Sequence, residues 1–386
     1  MAYVIGITLF VAGLCLSLAL HEAGHLLSAR AFGMRVRRFF VGRGPTVFSF
    51  RVKHADGDTE YGLKALPIGG FCDIAGMTTL DDLTPDERPR AMWRHPAWKR
   101  TVVMASGAFT HVLLAMAILY GMAVSMGLPN LNPVAEPIVA ATTCPAGTCP
   151  AADAGIRPGD RITAVGATAT PLWPDVITAV QRAKGPTAVT VLRDGRSLTV
   201  TVAVARVTRD GAEVGMIGAT ARTPAAYLTY GPVDAAGATL AFTGDLFGRT
   251  FDQLAAFPQR LPAVVAAIGG AERSADTPIS MVGASRLGGE AVERGLWEVF
   301  LLLLASLNLF MAVFNLLPLL PLDGGHILVI WFERSRDAVR RWRGLPAAGP
   351  IDFTRLYPVT MALVLIGGAV MLLTITADVV NPIRLS

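Results

Sequence analysis

Four long apolar segments dominate the pattern of hydrophobic and polar positions along the chain. They run from about Tyr3 to Leu20, Val102 to Met126, Trp297 to Leu317 and Tyr357 to Ile375. Each is close to the length that crosses a bilayer as an α-helix. The first lacks a basic start and a small-residue cleavage site, so we predict a membrane helix there rather than a cleaved signal peptide. The pattern predicts a polytopic α-helical membrane protein with four core transmembrane helices.

Shorter alternating runs occur in two of the connecting segments. Thr46–Val52 and Thr59–Leu66 predict a small β-sheet after the first span. Thr187–Leu192 and Ser197–Val204, joined by an Asp-Gly turn, predict a β-rich domain between the second and third spans. After that domain, apolar residues at helical spacing are interrupted by Gly and Pro, which predicts short helices on the membrane surface. Packing helices of a soluble domain are the alternative.

These patterns divide the chain into eight segments. They are a first transmembrane helix (1–33), a β-hairpin and loop region (34–97), a second transmembrane helix (98–128), a β-rich domain (129–222), membrane-surface helices and linker (223–294), a third transmembrane helix (295–330), a basic loop (331–356), and a fourth transmembrane helix with a tail (357–386).

Composition and charge support a membrane location. Of the 386 residues, 52% are hydrophobic and 16% are charged, which is too apolar for an ordinary soluble enzyme of this length. The loops between the first and second spans and between the third and fourth are rich in Arg and Lys close to the spans, which places both loops in the cytoplasm by the positive-inside rule. The long segment between the second and third spans also contains basic residues, but long segments cross a membrane regardless of their charge. The termini and the β-rich domain are then extracytoplasmic. No basic run is interleaved with aromatic residues, so no nucleic-acid partner is expected.

Two of the four cysteines are close in sequence. Cys144 and Cys149 lie in CPAGTC, in a segment that the topology places outside the cytoplasm. An oxidising compartment favours a disulfide between them, and two free thiols are the alternative.

The strongest chemical motif is His21-Glu22-Ala23-Gly24-His25, which fits H-E-x-x-H. Two imidazoles four residues apart share one helix face and can bind zinc, and the glutamate beside them can act as a general base. A buried, hydrogen-bonded histidine pair is the alternative. Ionisable groups at the end of an apolar helix are costly, which favours a functional role.

A catalytic zinc site commonly has three protein ligands, so a third ligand is needed. Asp323, in LDGGH at the inner end of the third span, is our prediction, because the first and third spans run in the same direction and bring it to the depth of His21 and His25. His326 is the alternative, as a ligand or as a hydrogen-bond donor to one. Zinc would then activate a water, and Glu22 would accept its proton.

Other polar residues occur inside the spans. Asn308 is predicted to form a hydrogen bond between helices, and Asn315 to contact the substrate backbone. His111, in the second span, is predicted to be a packed, hydrogen-bonded histidine.

With these residues identified, the chain resembles the site-2 protease family, in particular the bacterial PDZ-containing type. The resemblance rests on HEAGH, LPIGGF, AGIRPGDRI, PISMVG and NLLPLLPLDGGH in this order, and it covers nearly the whole length. Only one PDZ-like segment is visible, which is similar to the actinobacterial members. The chain departs from the family pattern in the second span, where His111 stands at a position that is often Asn.

The resemblance implies an intramembrane protease with one Zn²⁺ held by His21, His25 and Asp323, and with Glu22 as the base. It implies a cytoplasmic-side membrane-associated β-hairpin, in which Gly69 and Gly70 would bind substrate, and an extracytoplasmic α+β PDZ-like domain. Substrates would be single-pass membrane proteins of the anti-sigma-factor kind, first shortened by an upstream site-1 protease. The location would be the bacterial plasma membrane, with the active site near its cytoplasmic side.

Two other classes of function compete with this interpretation. A catalytically silent membrane adaptor could present the PDZ-like domain and keep the metal site as structure, although Glu22 has no use in such a site. A metal transporter could use intramembrane His and Asp residues, but the repeated halves typical of transporters are not visible.

Overall fold

The computed structural model describes residues 1–54, 57–131, 133–144, 147–209, 212–274 and 276–385. They form two compact units, Met1–Met126 with Thr229–Ser386, and Gly127–Leu228. The helices are α1 (Ala2–Ala31), α2 (Ala97–Ser125), α3 (Pro150–Asp153), α4 (Trp173–Arg182), α5 (Pro232–Ile268), α6 (Met281–Glu293), α7 (Trp297–Asn315), α8 (Asp323–Trp342) and α9 (Tyr357–Val380). The strands are β1 (Val36–His54), β2 (Gly57–Ile74), β3 (Leu128–Pro129), β4 (Val139–Thr142), β5 (Arg161–Val165), β6 (Thr168–Ala169), β7 (Gly185–Arg193), β8 (Arg196–Arg209), β9 (Ala212–Met216), β10 (Ala219–Ala221) and β11 (Tyr227–Leu228).

In the described part of the chain, α1, α2, α7 and α9 are the four helices long and apolar enough to cross a membrane. They coincide with the four apolar segments of the sequence. The prediction of a polytopic α-helical membrane protein is therefore confirmed.

Small residues allow α1 to pack closely on two sides. A methyl group built on Gly289 of α6 would lie 2.8 Å from Cγ1 of Ile7, and one built on Gly24 would lie 2.7 Å from the carbonyl oxygen of Ser106 in α2. Phe10 is fully buried, and its ring meets that of Phe300 edge to face at 5.6 Å. These contacts hold the helix that carries HEAGH between α2, α6 and α7.

The predicted β-sheet after α1 is a long antiparallel hairpin of β1 and β2. The hairpin is irregular, with repeated shifts of register near its base, and the rings of Phe40 and Phe71 stack there at 5.3 Å. Phe48 pairs with Leu63 in the middle of β2, and Val47 and Phe48 are 65% and 61% exposed. Exposed apolar side chains of this kind are suited to contact with lipid rather than with water.

The second unit contains a five-stranded antiparallel sheet in the order β6-β5-β7-β8-β9. The predicted hairpin of β7 and β8 is confirmed, and its turn places Asp194 and Gly195 at φ of 49° and 78°, as a tight two-residue turn requires. Residues of α4 such as Val176 pack with Ile162 and Val191 in one apolar core. Asp160, beside this core, is buried and bound to Arg193 with an Nη2–Oδ2 distance of 2.7 Å.

The third apolar span was predicted closely, but the wider segment assigned to it was not. Residues 295–330 are not one helix, because α7 ends at Asn315 and α8 begins at Asp323. Pro318 and Pro321 lie in the connection, where a proline cannot supply the hydrogen bond that continues a helix. Residues 331–356 are also not simply a loop, since α8 continues to Trp342. Its Glu333 is buried against Arg100 of α2, which anchors the helix.

The prediction of short helices between the β-rich domain and the third span was also wrong for its first part. Pro232–Ile268 is one helix of 37 residues, with Pro258 and Pro262 inside it. Buried residues lie near both ends of this helix, such as Phe242 toward the first and Val264 toward the second. Packing on both sides of the prolines outweighs the local cost of the hydrogen bonds that they remove.

Candidate metal centre

His21 and His25 lie one turn apart on α1 and face the interior of the first unit, with exposures of 8% and 6%. Their Nε2 atoms are 3.1 Å apart. Oδ2 of Asp323 lies 3.3 Å from Nε2 of His21 and 3.4 Å from Nε2 of His25. Two imidazole nitrogens and a carboxylate oxygen, all within 4.8 Å of one another, form a donor set that suits zinc.

Asp323 reaches this cluster because the chain turns sharply after α7. It is the first residue of α8, and Gly324 and Gly325 follow it. A side chain on Gly324 would meet the carbonyl oxygens of Leu316 and Leu317, so only glycine allows the turn to fold back there. The alternative ligand, His326, is outside the cluster, and its ring stacks on that of Phe353 at 5.8 Å.

The backbone of α2 orients the second histidine. Nδ1 of His25 donates a hydrogen bond to the carbonyl oxygen of Val103 at 2.7 Å, which leaves Nε2 free to face Asp323. A hydrogen bond on one ring nitrogen is the usual way in which a metal-binding histidine is held in the right tautomer. Gly107, one turn further along α2, lies directly against both imidazoles. Neither Val103 nor Gly107 was predicted from the sequence to act at the site. A small residue four positions before His111, on the same helix face, is the signal that could have identified Gly107.

Glu22 follows His21 in the sequence, and its side chain lies beside the β-hairpin. A methyl group built on Gly70 of β2 would lie 2.8 Å from Cγ of Glu22 and 3.0 Å from the carbonyl oxygen of Phe40. Gly69 precedes it with φ of 74°. The two glycines predicted to bind substrate therefore lie next to the predicted base, and their role stays a prediction. Asn315, the last residue of α7, is partly exposed, and its contact with a substrate likewise stays a prediction.

The two polar residues predicted to pack inside the membrane helices bind each other. Nδ1 of His111 in α2 and Oδ1 of Asn308 in α7 are 2.9 Å apart, and the two side chains are 1% and 0% exposed. The interhelical hydrogen bond expected of Asn308, and the packed state expected of His111, are both confirmed. His111 also lies next to the cluster, since its ring centroid is 5.0 Å from that of His21.

In the second unit, the sulfurs of Cys144 and Cys149 are joined in a disulfide. Cys149 immediately precedes the short helix α3, whose Pro150 and Ala151 are buried. Residues 145 and 146, between the cysteines, lie outside the described residues.

Fold and site together define a class: a multi-pass membrane protein whose interior holds two histidines and an aspartate beside a glutamate. The chain belongs to peptidase family M50, whose sequence profile matches residues 9–345. It is 45% identical to the zinc metalloprotease Rip1 of Mycolicibacterium smegmatis and 44% identical to Rip1 of Mycobacterium tuberculosis, over the full length of both chains in each comparison. The resemblance to the site-2 protease family is thus confirmed.

Proposed function

We propose that this chain is a zinc-dependent endoprotease that cleaves a peptide bond within the transmembrane helix of a single-pass protein. The observation that carries the proposal is the convergence of His21 Nε2, His25 Nε2 and Asp323 Oδ2 at distances of 3.1 to 3.4 Å. Membership of peptidase family M50 and the zinc metalloprotease relatives support it.

The donor set fits a metal ion on chemical grounds. Because His25 Nδ1 carries the hydrogen that binds Val103, its Nε2 presents a lone pair toward the carboxylate of Asp323. Lone pairs that face one another in a buried site are unfavourable unless a cation lies between them. His21, His25 and Asp323 would hold that cation, and bound zinc would activate a water and polarise the scissile carbonyl.

Glu22 would move the proton in this reaction. Its carboxylate would accept a proton from the attacking water and later donate it to the nitrogen of the leaving amine. The β-hairpin would hold the substrate nearby, since an exposed strand edge can pair with an extended chain. Gly69 and Gly70 would contact that chain through their backbone, and Asn315 would hydrogen-bond its backbone.

The second unit would select substrates. We propose that Gly127–Leu228 is a PDZ-like domain on the extracytoplasmic side, which excludes bulky ectodomains or binds a new chain end. Substrates would then be anti-sigma-factor-like proteins already shortened by a site-1 protease. The arginine distribution supports cytoplasmic loops before α2 and after α7, with both termini outside the cytoplasm in a bacterial plasma membrane.

The test is cleavage of a tagged single-pass helix with a short ectodomain by the purified chain. We expect Glu22→Gln and a zinc chelator each to abolish cleavage, while Glu22→Gln retains bound zinc. Glu298→Gln, the same change in the first turn of α7, serves as the control. Substantial cleavage by the Glu22→Gln variant would contradict the role of Glu22 as base. Bound zinc without cleavage of several different helices would favour the silent adaptor.

A further inference from the structure

Two buried nitrogen atoms beside the metal centre have no hydrogen-bond partner among the described residues. They are Nδ1 of His21 and Nε2 of His111. The two rings are neighbours, with centroids 5.0 Å apart and planes inclined by 39°. A buried polar atom without a partner costs free energy, so a pair of them side by side requires an explanation.

The tautomer of His111 follows from its neighbour in α7. Nδ2 of Asn308 donates to the carbonyl oxygen of Leu304 at 2.9 Å, which turns the amide oxygen toward His111. An amide oxygen only accepts hydrogen bonds, so Nδ1 of His111 must be the donor. A neutral imidazole with its hydrogen on Nδ1 presents a bare lone pair at Nε2. The unpartnered atom of His111 is therefore an acceptor.

The tautomer of His21 follows from the metal centre. Its Nε2 faces Asp323 Oδ2 and the Nε2 of His25, so this nitrogen must be bare to bind a cation. The hydrogen of His21 then lies on Nδ1, and the unpartnered atom of His21 is a donor. A donor without an acceptor, on His21, and an acceptor without a donor, on His111, thus lie on adjacent rings.

The helix geometry brings the two rings together. His111 lies one turn after Gly107 on α2, and side chains on a helix lean toward its N-terminus, which here means toward Gly107. Gly107 itself lies against Cε1 and Nε2 of His21. Cε1 is bonded to Nδ1 in the ring, so Nδ1 of His21 lies on the side of the ring near Gly107. The side chain of His111 points toward the same glycine.

We infer that His111 is a positioning residue of the metal centre. The two atoms are unpaired in this structure, and a small rotation of the His21 ring when its Nε2 binds the metal would let Nε2 of His111 accept a hydrogen bond from Nδ1 of His21. The hydrogen bonds from Asn308 to the Leu304 carbonyl and between His111 and Asn308 are present, and the bond from His21 to His111 would complete the chain. His25 is oriented from α2 in the same manner, by the carbonyl oxygen of Val103. Each metal-binding histidine would thus have its Nδ1 hydrogen fixed by a different turn of α2.

The inference rests on the proposed zinc site and adds a residue that acts on zinc only through His21. Removing a hydrogen-bond partner behind a metal-binding histidine typically weakens metal affinity or activity by about 10- to 100-fold. His111→Leu should therefore bind zinc at least about tenfold more weakly. His111→Gln places an amide oxygen close to the position of the imidazole Nε2, so it should stay within about threefold of the parent chain.

The experiment measures zinc affinity of the full-length chain in detergent by competition with a chromogenic chelator, for the parent, His111→Leu and His111→Gln. The visible absorption of each cobalt-loaded protein gives a second readout, because it reports the ligand field at the metal. Thr101→Val is the matched control. It removes a side-chain hydrogen bond within α2, to the carbonyl oxygen of Ala97 at 2.9 Å, and nearly keeps the shape of the side chain.

A weakened affinity and altered cobalt spectrum for His111→Leu, restored by His111→Gln and absent in Thr101→Val, would support the inference. If the glutamine variant falls as far as the leucine variant, the bond to Asn308 is what matters, and the inference is wrong. Parent-like affinity for all variants would also overturn it. If the parent chain itself binds no zinc, the proposed function fails instead. Should the leucine variant not fold, His111→Ala takes its place, since it removes the same acceptor, and an affinity equal to that of the parent would overturn the inference.

Discussion

Gly107 lies against the imidazole of His21 with no space for a side chain between them. A methyl group on Gly107 would be 2.5 Å from Cε1 of His21 and 2.6 Å from Nε2 of His25. Carbon atoms in packed interiors come no closer than about 3.5 Å without strain. The backbone of α2 thus determines where the metal-binding nitrogen atoms of both histidines lie. The size of the side chain at position 107 determines whether the cluster can form.

Gly107→Ala should therefore disrupt the metal centre. Overpacking a tight site costs about 1–3 kcal/mol, which corresponds to roughly 5- to 150-fold weaker zinc binding if the ligands bear the displacement. Zinc content and chelator competition measure the effect. Gly121→Ala is the control in the same helix, since nothing lies within 4 Å of its added methyl. Equal zinc affinity in both variants would show that α2 shifts without disturbing the histidines.

The sequence was sufficient to predict those parts of the site that depend on local spacing. His21 and His25 share a face because they are four residues apart on a helix, and the hydropathy of that helix was unambiguous. The strands β7 and β8 were also predictable, because alternation and the Asp-Gly turn agree. Where one local pattern dominates, as in these cases, the structure follows it.

The rest depends on contacts between residues distant in sequence. The sequence around Val103 does not predict that its carbonyl oxygen orients His25, and the sequence around Gly107 does not predict its contact with His21. The start of α8 at Asp323 is set by a turn in which Gly324 fits against the backbone of Leu316 and Leu317. The continuity of α5 through two prolines depends on packing at both of its ends. Such features emerge only when the helices are assembled.

Gly70→Ala tests the link between the hairpin and Glu22. Its methyl would press on Cγ of Glu22 at 2.8 Å and on the backbone of β1. A displacement of about 1 Å at a catalytic group can reduce the rate by roughly 100-fold. We expect kcat for helix cleavage to fall by about 10- to 100-fold while zinc content is unchanged. A variant with normal kcat would mean that Glu22 tolerates the displacement or does not act as the base.

Glu333→Ala tests how α8, and with it Asp323, is held. Glu333 Oε2 binds Nη1 of Arg100 at 2.9 Å, and the two side chains are 9% and 13% exposed. Removing one partner of a buried ion pair costs about 3–5 kcal/mol, because the other charge is left unpaired. Thermal unfolding in detergent should show a clear loss of stability.

Two further variants make this test specific. Glu60→Ala breaks the ion pair with Arg51, whose side chain is 74% exposed, and should have little effect because an exposed pair contributes about 0–1 kcal/mol. The double variant Arg100→Leu/Glu333→Leu leaves no unpaired charge and should recover part of the lost stability. If it is less stable than the single variant, the buried pair itself is a major source of stability.

Asp160→Asn should reveal a pH-dependent contribution to the stability of the second unit. The hydrogen bonds from Arg193 lower the pKa of Asp160, with a further contribution from the backbone N–H of Arg157. A carboxyl whose pKa is lowered by folding stabilises the folded state above its unfolded pKa of about 3.9, and this contribution is lost as the pH falls through the lower folded pKa.

At pH 7 the variant should therefore be less stable than the parent, by about 2 kcal/mol for a charged hydrogen-bonded group. The difference should shrink below about pH 4, where the parent loses the contribution and the variant has none to lose. Hydrogen exchange of β7 amides in the intact chain measures this, expressed as protection factors so that the intrinsic exchange rate cancels. Asp153→Asn, at an exposed position of the same unit, is the control. The contrary outcome is a difference in stability between Asp160→Asn and the parent that stays constant as the pH is lowered from neutral to below about 4. It would mean that the substitution disturbs packing and that the ion pair with Arg193 contributes nothing.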